Sequence, residues 1–221
     1  MKKNISLVIN IIIVVLTIFA SIIMFTGIKI TSGAEPILET TKIGMFKFFT
    51  VDSNLFMGLV ALLFTIKQIK KQSITKNMYI LKLASTTSVT LTLLVVLAYL
   101  APISQGCLRS MLQNSNLFFH LLIPLLSIIN FTIFEKTDKI KTKDTLYGLI
   151  PTIIYAIFYV SNLIIHIENG KVSPVYDWYW FAQNGIIQAI STAIIIIVTT
   201  YIITLILWKL NRRKLKWYQN F

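Results

Sequence analysis

The chain is short of the side chains on which metal, phosphate and redox chemistry usually rest. Its 221 residues hold one cysteine, two histidines and eight acidic groups, and 13% of all residues are charged. A single cysteine, Cys107, excludes an intrachain disulfide and a cysteine-pair metal site. No glycine-rich phosphate loop, His-Glu-x-x-His helix or Gly-x-Ser-x-Gly elbow occurs. The two histidines, His120 and His166, fall on different apolar stretches at depths more than a turn apart, which argues against a haem held between them. Neither a metal nor a cofactor is therefore expected.

What abounds is apolar. Hydrophobic residues make up 56% of the chain and mean hydropathy is +0.75, against roughly 45–50% apolar and about 25% charged in soluble domains. Six apolar stretches, at 5–25, 44–66, 83–103, 117–134, 146–167 and 186–208, are each long enough to cross a ~30 Å hydrocarbon layer as a helix. The expected architecture is all-α: a single domain, residues 1–221, forming a polytopic transmembrane bundle of six helices. Small residues Ser32, Gly33 and Ala34 follow the first stretch as they would a signal peptide. A signal's apolar region is only about 7–15 residues, so an uncleaved first helix is expected.

Lysine and arginine outnumber acidic residues 21 to 8, a net charge of +13. In a soluble protein that balance would point to nucleic acid, but here the basic residues flank the apolar stretches. Sixteen lie in alternate segments: Lys2 and Lys3; Lys67, Lys70, Lys71, Lys76 and Lys82; Lys136, Lys139, Lys141 and Lys143; Lys209, Arg212, Arg213, Lys214 and Lys216. The intervening segments hold four, Lys29, Lys42, Arg109 and Lys171, and Lys47 lies within the second stretch. The positive-inside rule then places both termini in the cytoplasm of a multi-pass cell-membrane protein. Membrane lipids, not nucleic acid, are the expected partners. Trp178, Tyr179 and Trp180 in the last outer loop, with Trp208, Trp217 and Tyr218 at the inner end, suit the two interfaces. Pro124 and Pro151 fall inside helices and each removes a backbone bond.

Polar side chains within hydrocarbon usually face the bundle interior, so helical phase selects a site. Lys47, Thr50 and Asn54 align on helix two with Gly58, and Asn116, His120 and Ser127 on helix four. Tyr155, Tyr159, Asn162 and His166 align on helix five, and Asn184, Gln188 and Ser191 on helix six. Most of these fall in the outer half. The plainer alternative is hydrogen bonding between helices, worth ~0.6 kcal/mol per contact, with Lys47 snorkelling to the interface and His166 solvated. Asp52 points roughly opposite Thr50. A buried histidine can serve as base to a hydroxyl. The hydroxyls at hand are Thr50, Ser127, Tyr155, Tyr159 and Ser191, with Thr50 closest in depth to His120, and Lys47, Asn54 or Asn116 could hold an oxyanion.

Two short motifs carry a resemblance. Phe46-Lys47-Phe48-Phe49-Thr50 is similar to the aromatic-Lys-Phe-x-Thr of the androgen-induced and androgen-dependent TFPI-regulating family of membrane proteins, whose bacterial relatives have six predicted helices. Asn116 to Pro124 is similar to that family's Asn and His followed by an apolar run and Pro. The stretch 147–160 and Val175-Tyr176 add weaker likeness, and Val51-Asp52-Ser53-Asn54 resembles the bacterial branch. Where the family usually has Tyr-Pro-aromatic, this chain has Tyr176-Asp177-Trp178. The resemblance implies an intramembrane hydrolase of fatty acid esters of hydroxy fatty acids, with Thr50 as nucleophile and His120 as base, acting on a fatty acyl ester. Lys47, Asn54, Asn116, Tyr159, Asn162, His166 and Gln188 are expected to line the substrate pocket. The rival expectation is a non-catalytic lipid or solute binding or transport protein, with a polar path along Ser85, Thr86, Thr87, Ser88, Thr90 and Thr92 of helix three.

Overall fold

The computed structural model describes residues 2–31, 40–103, 112–169 and 171–213. Ser32 to Ala34, Cys107, Arg109, Lys214, Lys216, Trp217 and Tyr218 lie outside them. Among the described residues there are six long helices: α1 (Lys2–Thr26), α2 (Phe49–Ile69), α3 (Lys76–Leu100), α4 (Ser115–Phe134), α5 (Thr142–Ile165) and α6 (Ile186–Arg212). All six are long and apolar enough to cross a membrane. A two-residue antiparallel hairpin, β1 (Ile167–Glu168) and β2 (Lys171–Val172), follows α5.

α3 is the hub, packed against α2, α4, α5 and α6, while α1 lies on α2 and α4. Polarity is arranged inside out. Val15, Ile18 and Ile22 of α1, Ile154 and Ile157 of α5, and Ile194, Ile195 and Val198 of α6 are exposed, whereas Asn10, Lys82, Ser85, Thr86, Thr87 and Thr200 are fully buried. An exposed apolar belt of this extent marks a surface built for a partner of like polarity. Small residues let backbones approach. A Cβ on Gly58 would lie 2.7 Å from Thr17 Cγ2, and one on Gly148 would lie 2.5 Å from Thr204 Cγ2, so these glycines set the α1–α2 and α5–α6 spacings.

Several helix ends differ from the sequence expectation. α3 starts at Lys76, seven residues before 83, because the Thr75 hydroxyl accepts from the Met78 N–H at 3.4 Å and caps it. Lys82 is therefore not in a basic connecting segment but one turn and a half inside the bundle. α2 starts only at Phe49, since Phe48 is extended and Lys47 closes a separate 3-10 turn, Lys42–Lys47. That break removes the helical phase relation between Lys47 and Thr50.

Irregular turns accompany Pro124 and Pro151 within the helices and Pro102 just past the end of α3. Pro124 cannot donate to the carbonyl of His120, and the turn Phe118–Leu122 widens to π spacing, with Ile123 N–H bonded to Phe118 O. Pro102 is preceded likewise by the π turn Val96–Leu100. Pro151 follows the 3-10 stretch Thr142–Leu149. A third π turn, Asn130–Phe134, has no proline and ends with Glu135 N–H bonded to Asn130 O at 2.9 Å. Five residues apart on a regular helix, Asn130 and Glu135 would point about 140° apart. The π turn instead brings Asn130 Nδ2 to 3.2 Å from Glu135 Oε1.

Candidate active site

Thr50 is buried in the first turn of α2 and lines an apolar cavity of about 60 Å³ between α2, α3, α5 and α6. Leu91, Val95, Val96, Ala156 and Ile196 form much of its wall. Its other hydroxyls belong to Thr92, Thr152, Tyr155, Tyr159 and Tyr179. Thr92 is occupied by Ser88 O at 3.3 Å and Ser53 Oγ at 3.1 Å. The hydroxyl of Thr50 instead lies against that of Tyr179. Tyr179 Oη accepts from the Phe49 N–H at 2.9 Å, which fixes the ring at the opening of α2. Burial pushes the Tyr179 hydroxyl up to about 12, so it stays a neutral donor through the physiological range.

His120 sits on α4 at 1% exposure, within the π turn described above. Asn54 joins the two turns: its Nδ2 donates to Thr50 O at 2.7 Å and to Phe119 O at 3.1 Å, and its Oδ1 is buried without a partner. Thr50 and His120 are thus on neighbouring turns of adjacent helices, bridged through backbone by one amide. Among the described residues no direct bond links the Thr50 hydroxyl to the imidazole. Asn116 is also buried, one turn before His120.

The cavity adjoins a second, larger space. A groove of about 590 Å³ between α2 and α5 is lined by Phe46, Asp52, Ser53, Phe56, Pro151 and Phe158, and it shares Phe49 and Tyr155 with the Thr50 cavity. The Phe49 and Tyr155 rings, 5.2 Å apart between centroids, form the partition. Asp52 lines this groove, and no cation pairs with it among the described residues.

The segment between α5 and α6 folds over the cavity. Asp177, buried, accepts from the Phe181 N–H at 2.9 Å and the Ala182 N–H at 2.8 Å and also receives the Tyr159 hydroxyl. Trp178 Nε1 donates to Tyr155 Oη at 3.1 Å, and Tyr155 donates to Lys47 O at 2.5 Å. Trp178 and Tyr179 are consequently core residues, 8% and 6% exposed, and not interfacial rings. The aromatic run had masked this role; the one acid within it, Asp177, is the signal that the loop turns inward, because a carboxylate gathers backbone donors.

The remaining expected pocket residues lie elsewhere. The Lys47 ammonium rests over the Phe48 and Trp178 rings at 5.1 and 5.6 Å. Asn162 Nδ2 donates to Tyr176 O at 2.9 Å, and the His166 ring stacks on Tyr176 with centroids 3.6 Å apart. Both secure the rim. Gln188 Oε1 accepts from the Asn184 N–H at 2.8 Å, a tie at the start of α6. Asn184 and Ser191 are exposed, so the polar stripe expected on α6 does not face inward; Ala189, Thr200, Thr204 and Asn211 do. Along α3, Ser85, Ser88, Thr90 and Thr92 donate to their own helix's carbonyls, while the Thr86 and Thr87 hydroxyls are buried without partners.

A second polar cluster at the lysine-rich end escaped sequence reasoning. Lys82 Nζ donates to Asn10 Oδ1 at 2.6 Å and lies 3.3 Å from Glu135 Oε2. Glu135 Oε1 accepts from Asn10 at 2.7 Å, Ser6 at 3.1 Å and Asn130 at 3.2 Å. A lone acid directly before Lys136 at a helix end was the available signal.

Compared with protein-family models, curated proteins and solved structures, the chain finds no match.

Proposed function

We propose that the chain is a multi-pass membrane hydrolase of lipid esters, with its lysine-rich end and both termini on the cytoplasmic face and Thr50 near the opposite face. The lysine distribution and the exposed apolar belt support this placement. The observation that carries the reading is a threonine hydroxyl, not spent on its own helix, at the wall of an apolar cavity beside a groove open between helices.

In the proposed reaction Thr50 Oγ1 bonds to the acyl carbonyl carbon as its proton passes to His120. The tetrahedral oxyanion forms beside the Tyr179 hydroxyl, a donor already held in place. Collapse breaks the ester C–O bond, and His120 returns the proton to the leaving alcohol. Water, deprotonated by the same imidazole, then cleaves the acyl-threonine to the fatty acid and regenerates both groups. Catalysis requires the imidazole and Thr50 to close across the Asn54 bridge, a tightening common between free and substrate-bound enzymes. A transport reading draws less support, because the α3 hydroxyls that would form its path largely bond their own helix.

Activity-based labelling tests the proposal. A fluorophosphonate applied to purified wild-type protein is expected to modify Thr50, as located by mass spectrometry, and to leave folded Thr50→Ala and His120→Ala unlabelled. A well-folded wild type that takes no label, or one labelled equally in His120→Ala, removes the nucleophile assignment.

A further inference from the structure

Among the described residues, Asp52 is the one polar side chain of the α2–α5 groove that makes no hydrogen bond. Ser53 also lines it, but its hydroxyl is taken by Thr50 O and Thr92 Oγ1, each at 3.1 Å. The Tyr155 hydroxyl donates to Lys47 O and accepts from Trp178 Nε1. No lysine or arginine lines the groove, and the Lys47 ammonium, on the neighbouring 3-10 turn, is engaged over the Phe48 and Trp178 rings. Asp52 is half-buried in the groove wall, within reach of a ligand there.

A carboxylate on such a surface is costly. It stands in the first turn of α2, where the helix dipole favours negative charge but supplies no counter-ion. The basic residues at the far end of the same helix begin at Lys67, about 22 Å away along the axis. The outer wall of the groove is apolar, with Phe46, Ile150, Ile154 and Phe158 all exposed. Ionisable groups within a membrane span ordinarily meet a partner of opposite charge, and among the described residues the protein brings none to Asp52.

The groove selects both the sign and the kind of partner. With the two hydroxyls spent, it offers an acceptor and no free side-chain donor, so an anion finds nothing to hold it. Five aromatic rings share the lining, and those of Phe49, Tyr155 and Phe158 run on from one another at centroid distances of 5.2 and 6.0 Å. Aromatic rings attract weakly hydrated cations through their quadrupole. A primary ammonium carries three donors, more than one carboxylate takes up, and the remainder would lose water against the rings. A quaternary ammonium carries none. The volume of about 590 Å³ and the exposed apolar side leave room for an alkyl chain. We propose that the α2–α5 groove binds an amphiphile with a quaternary ammonium head, the head paired with Asp52 among the rings and the chain lying along Ile150 and Ile154. Neither Thr50 nor His120 lines the groove, so this binding does not depend on the proposed hydrolysis.

The test is saturation binding of tritiated dodecyltrimethylammonium to the purified full chain in a neutral maltoside detergent, with unlabelled dodecylammonium, laurate and dodecanol as competitors. The quaternary ion is expected to bind saturably and about tenfold more tightly than laurate or dodecanol, although a net charge of +13 would by itself favour laurate. Asp52→Asn keeps the shape and is expected to weaken the quaternary ion about tenfold or more, with dodecanol unchanged. Phe158→Leu, at an exposed position, keeps an apolar wall without a ring and is expected to cost about fivefold. Thr50→Val is expected to bind as wild type does, which separates this site from the fate of the hydrolase reading. No saturable binding in wild type, competition by laurate or dodecylammonium equal to that of the quaternary ion, or folded Asp52→Asn and Phe158→Leu that both bind as wild type does, overturns the proposal.

Discussion

Lys82→Ala and Glu135→Ala are each expected to destabilise the folded chain by about 3–5 kcal/mol, the range for removing one partner of a buried pair. The two side chains are 0% and 3% exposed, so either substitution leaves a charge with no route to water. Lys82→Ala also empties the space beside the Phe64 ring, over which the ammonium sits at 4.9 Å. The combination Lys82→Met with Glu135→Leu removes both charges and restores volume. It still leaves Ser6, Asn10 and Asn130 short of an acceptor, so it will not match wild type. Its loss should nevertheless fall short of the sum of the singles by about 2 kcal/mol or more, the signature of coupled neighbours. Unfolding of detergent-solubilised protein, followed by circular dichroism, measures all three. Strictly additive losses, or singles within about 1 kcal/mol of wild type, would show that the charges do not depend on each other.

Thr50→Val keeps the shape of the side chain and removes its hydroxyl. Ester hydrolysis is expected to fall about 10³-fold or more, in line with the loss of a nucleophile that works as a unit with its base. Stability should change by only about 1 kcal/mol, because the lost contact is one hydroxyl interaction with Tyr179. Tyr179→Phe is the companion experiment. It removes the proposed oxyanion donor and leaves Thr50 in place, so kcat should fall about 10²-fold while labelling of Thr50 persists more slowly. Hydrolysis of a panel of fatty acyl esters by the folded variants separates the cases. If Thr50→Val hydrolyses every ester at the wild-type rate, Thr50 is a wall residue and the proposed function fails.

Much of the architecture was legible because hydrocarbon-length apolar runs leave little choice of element. Six such runs and six helices agree in number and order. Phase arguments worked on α4, where Asn116, His120 and Ser127 are all buried, and failed on α6, where Ile-rich sequence surrounds Asn184, Gln188 and Ser191 on every side. There, threonines at 200 and 204 are the inward residues, and threonine is too small and too tolerant of either face to announce itself. Lys47 and Lys82 were misplaced in opposite senses. Lys47, read within the second stretch, lies at a boundary ahead of the extended Phe48. Lys82, read in a basic connecting segment, lies inside the bundle, because Asn10 of α1 and Glu135 just past α4 wait for it, and sequence order gives no hint of that meeting. The inward loop at Asp177 was likewise hidden by tertiary hydrogen bonds.

The groove between α2 and α5 bears on how such an enzyme would be assayed. The loop from Asp177 to Ala182 packs over one end of the Thr50 cavity, and the Phe49 and Tyr155 rings are shared between that cavity and the groove between α2 and α5. A substrate dissolved in the bilayer would arrive in two dimensions, already oriented, without passing through bulk water. Its encounter rate would then follow its mole fraction among the surrounding amphiphiles and not its molarity in the tube. In detergent, adding more micelles at fixed substrate would slow turnover, as in surface dilution, and an apparent KM quoted per litre would describe the preparation more than the protein.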